Sequence, residues 1–273
     1  HKHEFDVRSY AIDRIVRIGI PLVSAIVFGI IVMSIMNIDF SYFVAMGNLL
    51  SLQGIACEPF ISAFWSLSYE VWFYIILGSI GMVFNGSKKG MVLFLICWLA
   101  FMKLAPYFLF MWFMGAFAYY LRPKKRNNVV LYLSFIMLLF FTCLSLSTVD
   151  SKAIHISFKM DRNIVDIFMA FSLCFFLQQI VLCVPKRNIF VCVERFFHPL
   201  ANFSYTLYLT HRITLLLIFN SVFIKWSHNL DMKGIVLYIL LLTTCMLTSW
   251  SIYYFTERKT SDVKRWIKGK LLK

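Results

Sequence analysis

Eight apolar blocks, parted by short polar breaks, run along the 273 residues of this chain. They fall at about 15–36, 63–84, 90–102, 104–121, 129–147, 164–184, 200–226 and 233–255. A bilayer's hydrocarbon core is about 30 Å thick and asks for about 20 apolar residues in a helix. Water does not reach it, so a spanning segment must satisfy its own backbone hydrogen bonds, as helices and closed barrels do. Barrel strands alternate polar and apolar residues with a period of two, a pattern these blocks lack. The fold class read from the sequence is all-α, a polytopic integral-membrane helix bundle with about eight transmembrane helices. No repeat, low-complexity tract or soluble domain stands apart, so residues 1–273 read as a single integral-membrane domain. The third block is short, and Lys103-Leu104-Ala105-Pro106 parts it only weakly from the fourth. A tight hairpin of two spans is preferred to one kinked element because it keeps the loop charges on consistent sides.

Those charges lie between the blocks. The net charge of +14 would suggest nucleic acid in a soluble protein. Here only 15% of residues are charged, and they form short clusters instead of the continuous basic face that nucleic acid requires. Nucleic acid is excluded as a partner, and membrane lipid is the expected surrounding. Lys2, Arg8, Arg14, Arg17, Lys88, Lys89, Arg122, Lys124, Lys125, Arg126, Lys186, Arg187, Arg195 and the tail from Arg258 to Lys273 fall on one side. The other side holds Lys103, Lys152, Lys159, Arg162, Lys225 and Lys233, diluted by Asp39, Glu58, Asp150, Asp161 and Asp231. The excess of Lys and Arg on cytoplasmic loops then places both ends in the cytoplasm, as an even number of spans requires. The seven cysteines are scattered, with no Cys-x-x-Cys pair and no Cys/His cluster at zinc spacing. They read as small apolar packing residues, and no metal is expected.

Glu70 most needs a reason. It lies in Trp65-Ser66-Leu67-Ser68-Tyr69-Glu70-Val71-Trp72-Phe73-Tyr74, where an ionisable group costs about 2.5–3.5 kcal/mol on insertion scales. Ser66, Glu70 and Tyr74 recur every fourth residue and share one helix face, with Ser62 just before them. Entering from outside, the helix carries Glu70 roughly 10 Å below the outer surface at 1.5 Å per residue. Such a carboxylate activates a hydroxyl or holds a catalytic His in its productive tautomer. Equally, it is a structural acid paired with an Arg or Tyr of a neighbouring helix. The segment alone leaves both open.

Two further constellations stand out. In Asn202-Phe203-Ser204-Tyr205-Thr206-Leu207-Tyr208-Leu209-Thr210-His211, the residues Ser204, Tyr208 and His211 fall at i, i+4 and i+7, with Arg212 following. This stripe lines a substrate path, or it bonds neighbouring helices at about 0.6–2 kcal/mol per contact. In Arg14-Ile15-Val16-Arg17-Ile18-Gly19-Ile20-Pro21, two arginines one turn apart form a phosphate clamp or an ordinary cytoplasmic anchor. Spacing by itself favours the structural alternative for both. The His-x4-Asp spacing of His1 and Asp6, and the sequons Asn85-Gly86-Ser87 and Asn202-Phe203-Ser204, are read as chance matches.

Taken in order, Arg14-x-x-Arg17-Ile18-x-x-Pro21, then Trp65-Ser66-Leu67-Ser68-Tyr69-Glu70-x-x-Phe73-Tyr74, then Ser204-Tyr205-x-x-Tyr208-Leu209-x-His211 resemble the acyltransferase family 3 membrane proteins. These are the O-acyltransferases of bacterial surface glycans. A last span closing on Tyr254-Phe255-x-Glu257 before a basic tail also fits. The resemblance implies a bundle of about ten apolar spans, opening with a helix that carries Arg-x-x-Ala and a catalytic His. The chain begins at His1 in a polar stretch, so it is expected to be a truncated member lacking the first two helices. His1 and His3 fall in the loop before the family's third helix and do not replace that histidine.

The resemblance further implies that Arg14 and Arg17 bind the phosphates of an acyl-CoA donor, acetyl-CoA by first expectation. Glu70 and His211 would be catalytic, and Trp65, Ser66, Tyr74, Ser204 and Tyr208 would line the acceptor or the path to it. No cofactor is expected to stay bound. The acceptor would be a sugar hydroxyl of a lipid-linked or surface glycan, such as lipopolysaccharide O-antigen or exopolysaccharide, and the location the bacterial inner membrane. Two rivals remain: an inactive remnant of the family, and a non-enzymatic transporter or polymerase component of the same glycan pathway. The latter would show helices broken by Gly and Pro, which are sparse in these spans.

Overall fold

The computed structural model describes residues 6–121, 123–149, 161–182, 189–222 and 232–271. Of the residues weighed above, His1, Lys2, His3, Arg122, Asp150, Lys152, Lys159, Cys183, Lys186, Arg187, Lys225, Asp231 and Lys273 lie outside these. The chain is an all-α membrane protein. Five helical stretches among the described residues are long and apolar enough to cross a bilayer: Val7–Ile35, Ser62–Phe84, Asn128–Leu146, Arg162–Ile180 and Met232–Leu271. The helices gather into two compact units, one of His1–Leu104 with Ile189–Lys273 and one of Ala105–Asn188.

The first unit begins with α1 (Val7–Ile35). The apolar criterion placed its start near residue 15, but the Asp6 carboxylate caps the backbone amides of Arg8 at 3.0 Å and Ser9 at 3.3 Å. Capping satisfies amides that have no partner within the helix, so two polar turns join the apolar span. Tyr10 and Asp13 thereby become part of α1. The segment 37–62, outside the expected apolar blocks, contains α2 (Tyr42–Leu49). Asn48 is fully buried; its amide donates to the carbonyls of Val44 (2.8 Å) and Glu58 (2.9 Å) and accepts from the Phe60 amide at 3.0 Å. Gln53, also buried, donates to the Phe64 carbonyl at 3.0 Å, and Gly54 turns the chain beside it at φ +80°. These bonds hold Phe60 and Phe64 in the core.

A short 3-10 turn, Ser62–Phe64, leads into α3 (Trp65–Phe84), which a turn at Gly86 (φ +76°) joins to α4 (Lys88–Phe101). In the same unit lie α8 (Ile189–Val222) and α9 (Met232–Phe255), the turn Glu257–Lys259 and α10 (Thr260–Leu271). The helix α8 starts well before the expected residue 200, because its first turns carry Arg195 and His198, which an apolar count rejects. The expected basic tail is helical. Asp13 accepts from Lys264 at 2.9 Å and Lys268 at 2.7 Å, which ties α10 to α1.

The core of this unit gathers Leu22, Ala25 and Ile26 of α1, Phe60 and Phe64, Leu67 of α3, and Leu209 and Ile213 of α8. In lipid the drive is close packing more than escape from water. Gly29 shows it: a Cβ there would stand 2.9 Å from the Phe60 ring. Between α8 and α9 runs a buried polar ladder, Thr210 with Ser249 at 2.8 Å and Thr214 with Thr248 at 3.3 Å.

The second unit comprises α5 (Pro106–Tyr120), α6 (Asn128–Val149) and α7 (Arg162–Ile180). Met102–Ala105 parts α4 from α5, so the third and fourth apolar blocks are separate helices. At 14 and 15 residues they reach only roughly 21 and 23 Å. Aromatic stacking joins α6 to α7, with Phe141 on Phe168 at 5.4 Å and Phe135 near Phe176 at 5.5 Å.

Candidate functional site

The residues singled out on α1 and α3 meet inside the first unit. Arg14 lies with its guanidinium carbon 4.4 Å from the centre of the Tyr74 ring and 5.3 Å from that of Tyr10. A desolvated cation over an aromatic face is worth about 2 kcal/mol. Tyr74 donates its hydroxyl to Glu70 Oε1 at 3.1 Å, and Tyr10 donates to the Tyr74 backbone carbonyl at 3.1 Å. The helical spacing of four that put Glu70 and Tyr74 on one face thus becomes a hydrogen bond. The tyrosine ring couples the carboxylate to the arginine. This is a mixture of the two readings of Glu70: it has an Arg and a Tyr for company, yet neither forms an ion pair with it.

A second layer comes from α8 and the turn after α9. The Tyr205 hydroxyl lies within electrostatic reach of Glu70, Glu257, Tyr74 and Tyr208. Thr206, fully buried, donates its hydroxyl to Glu257 Oε2, and Arg17 is within reach of both Glu257 and Tyr74. Two polar atoms of this cluster, Arg14 Nε and the Tyr205 hydroxyl oxygen, are buried and have no hydrogen-bond partner among the described residues. Buried polar atoms are nearly always bonded, so an exception calls for an explanation. The Tyr205 hydroxyl lies within electrostatic reach of Glu70, and Arg14 rests on the ring of Tyr74, the donor to that carboxylate.

The remaining predicted residues sit beside this cluster. Tyr208 donates to the Ala63 carbonyl, which leaves its oxygen to accept from Ser66 Oγ at 2.6 Å. That bond links α8 to α3 one turn before Glu70. His211 Nδ1 lies 3.1 Å from the Leu207 carbonyl and 2.8 Å from the Tyr208 carbonyl. Carbonyls only accept, so Nδ1 is the donor in these contacts, and in the neutral ring Nε2 is the acceptor. His211 lines a cavity of about 410 Å³ with Ser204, Tyr208 and Cys245. Glu70 and His211 make no hydrogen bond to each other; Ser66 and Tyr208 lie between them in the chain of contacts. Ser204 returns its hydroxyl to the Ala201 carbonyl at 2.8 Å, within its own helix. Trp65 is about half exposed, with its ring edge against Tyr69 at 5.9 Å. Arg212 donates to Ser62 Oγ at 3.1 Å.

A sequence model described as an acyltransferase domain matches residues 1–254. The chain belongs to acyltransferase family 3. No match is found among curated proteins or among solved structures. As a member of this family the chain is a membrane acyltransferase, and the cluster suits that chemistry. Acyl transfer needs a base for the incoming hydroxyl and donors for the oxygen that gains charge. Among the described residues Glu70 accepts from Tyr74, and the Tyr205 hydroxyl and Arg14 Nε have no hydrogen-bond partner.

Sequence reasoning left three of the acyltransferase's cluster residues out of the candidate site. Tyr10 preceded the expected span, although the Asp6 cap with Tyr10 four residues before Arg14 places it on the arginine's face. Tyr205 sat beside the Ser204–Tyr208–His211 stripe and was passed over for it. Glu257 was noted only as the close of the last span, and it lies just past the matched stretch. Its signal was an acid directly after an apolar block that ends against Arg17 and Thr206.

Proposed function

We propose that this acyltransferase moves an acyl group, acetyl in the simplest case, from acyl-CoA to a sugar hydroxyl of a bacterial surface polysaccharide such as O-antigen or exopolysaccharide. The enzyme would sit in the inner membrane with both chain ends in the cytoplasm. One observation carries the reading: the Glu70 carboxylate has the buried Tyr205 hydroxyl within electrostatic reach and accepts from Tyr74, whose ring carries the Arg14 guanidinium, and neither the Tyr205 oxygen nor Arg14 Nε has a hydrogen-bond partner among the described residues. A thioester carbonyl accepts from such donors, and its acceptor hydroxyl gives a proton to Glu70.

In the reaction the sugar oxygen bonds the acyl carbon, the carbon–sulfur bond breaks, and the hydroxyl proton passes by way of Glu70 to the departing thiolate. Arg17, one turn further along α1, suits a phosphate of the donor, which leaves Arg14 to the thioester end. His211, with its Nε2 lone pair, would serve as a second proton acceptor on the acceptor side, where Trp65, Ser66, Ser204 and Tyr208 line the path. The test is Glu70→Gln, expected to remove O-acylation of the cell's glycan, read by mass spectrometry, with the protein still present in the membrane. Undiminished acylation would overturn the proposal.

A further inference from the structure

Beside Arg14 and Tyr74 lies a cavity of about 370 Å³, within the range of small-molecule sites. Its walls are Ile18 and Leu22 of α1, Leu49 at the end of α2, Val71 and Ile75 of α3, and Leu93 of α4. Tyr10, Arg14 and Tyr74 also line it, and because Arg14 stacks on both rings these three side chains form one patch of the wall. The other polar contributor, Ser51, has its carbonyl occupied by Trp72 Nε1 at 3.1 Å. The cavity is an apolar chamber with a cationic patch.

We infer that this chamber holds the aliphatic chain of an acyl donor longer than acetyl, with the thioester and coenzyme at the Arg14 patch. The inference rests on the acyl-CoA reading above and names its acyl group. A two-carbon acetyl would leave most of the apolar wall without contacts, whereas a chain of about six carbons lies along it, and each buried methylene adds roughly fourfold in binding. The same chemistry, an aliphatic chain under an anionic head, also belongs to a membrane phospholipid, and the experiment separates the two sources.

The purified full chain in nanodiscs is titrated with acetyl-, butanoyl- and hexanoyl-CoA, with partition into empty nanodiscs subtracted. Affinity should rise along the series, with hexanoyl-CoA at least about tenfold tighter than acetyl-CoA. Ile75→Trp, on a wall of this chamber, should cut hexanoyl-CoA binding by about tenfold or more and acetyl-CoA binding far less, removing the preference. Ile75→Phe gives a smaller loss in the same direction, so the graded series reports on the chamber even if the larger side chain impairs folding. Equal binding of the three donors, the result when phospholipid fills the chamber, overturns the inference and leaves the acyltransferase reading standing. A preference for hexanoyl-CoA that survives Ile75→Trp does the same. Failure of every acyl-CoA to bind overturns the inference together with the donor reading beneath it.

Discussion

Asp166 and Glu70 each put a carboxylate into an apolar helix, and each accepts from a hydroxyl, Asp166 from Ser145 at 3.0 Å and Glu70 from Tyr74 at 3.1 Å. Their charges are treated differently. Asp166 lies one turn into α7, where the helix dipole favours an acid, with Arg162 of the same helix 3.9 Å away. Around it, α6 and α7 meet through stacked phenylalanines. Glu70 lies in the interior of α3, and the nearest cation rests on the ring of its hydrogen-bond donor instead of on the acid itself. Tyr205 and Glu257 crowd the same space. An acid matched within one turn of its own helix is a structural device. An acid with no ion pair among the described residues, reached by Arg14 through the ring of its own hydrogen-bond donor, suits the role proposed for Glu70.

The sharpest way to break this comparison is to neutralise both acids. Glu70→Gln should lower glycan acylation by about 10²–10⁴-fold, the usual contribution of a general base, while Asp166→Asn leaves the rate within about twofold because no donor or acceptor of the site touches it. Comparable losses, measured on equal amounts of membrane-inserted protein, would erase the distinction. Removing the cation comes next: Arg14→Ala with Arg17→Ala should raise the apparent KM for acyl-CoA by about tenfold, in line with the loss of a charge-assisted phosphate contact. An unchanged KM in a donor titration would return both arginines to the role of anchors.

Glu257→Gln should have a smaller effect, a rate loss of about three- to tenfold from disturbance of the Thr206 and Arg17 contacts, about 1 kcal/mol in the barrier. Single-turnover rates would show it, and a full rate would confine Glu257 to structure. Smallest is Thr210→Val, which breaks the ladder to Ser249 on the side of α8 that meets α9. It should cost about 0.6–2 kcal/mol of stability, read by unfolding in detergent, with the rate constant of folded enzyme unaltered.

Much of this was legible in the chain. The apolar blocks place α3, α6, α7 and α9 to within a few residues, because lipid demands length and hydrophobicity and little else. Glu70 was found by its cost, and Tyr74 by its spacing of four from it. The first turns of α1 and α8, and all of α2, escaped the same rule. They are built by polar bonds: the Asp6 cap, and an Asn48 side chain that reaches the backbone of residues 58 and 60. A hydropathy count sees those residues as breaks. On α8, likewise, Ser204 and Tyr208 were expected to face the interior, but Thr206, Leu209 and Thr210 are the residues buried, and Tyr208 reaches α3 from the helix's more exposed side.

By itself, then, the sequence determined that the chain is a set of membrane helices, and that a carboxylate, a pair of arginines and a polar stripe lie within them in the order of an acyltransferase. Those properties are local, following from hydrophobicity, charge cost and helical period. Tertiary structure alone decided which of them share a site. Tyr10, Tyr205 and Glu257 come from three separate stretches of the chain to the cluster of Arg14, Arg17, Tyr74 and Glu70, and His211 lines a cavity with Ser204 and Tyr208 instead. Helical spacing dictates what shares a face of one helix. Only the packing of α1, α3 and α8, set by Gly29, Phe60 and the buried Thr ladder, dictates which faces meet.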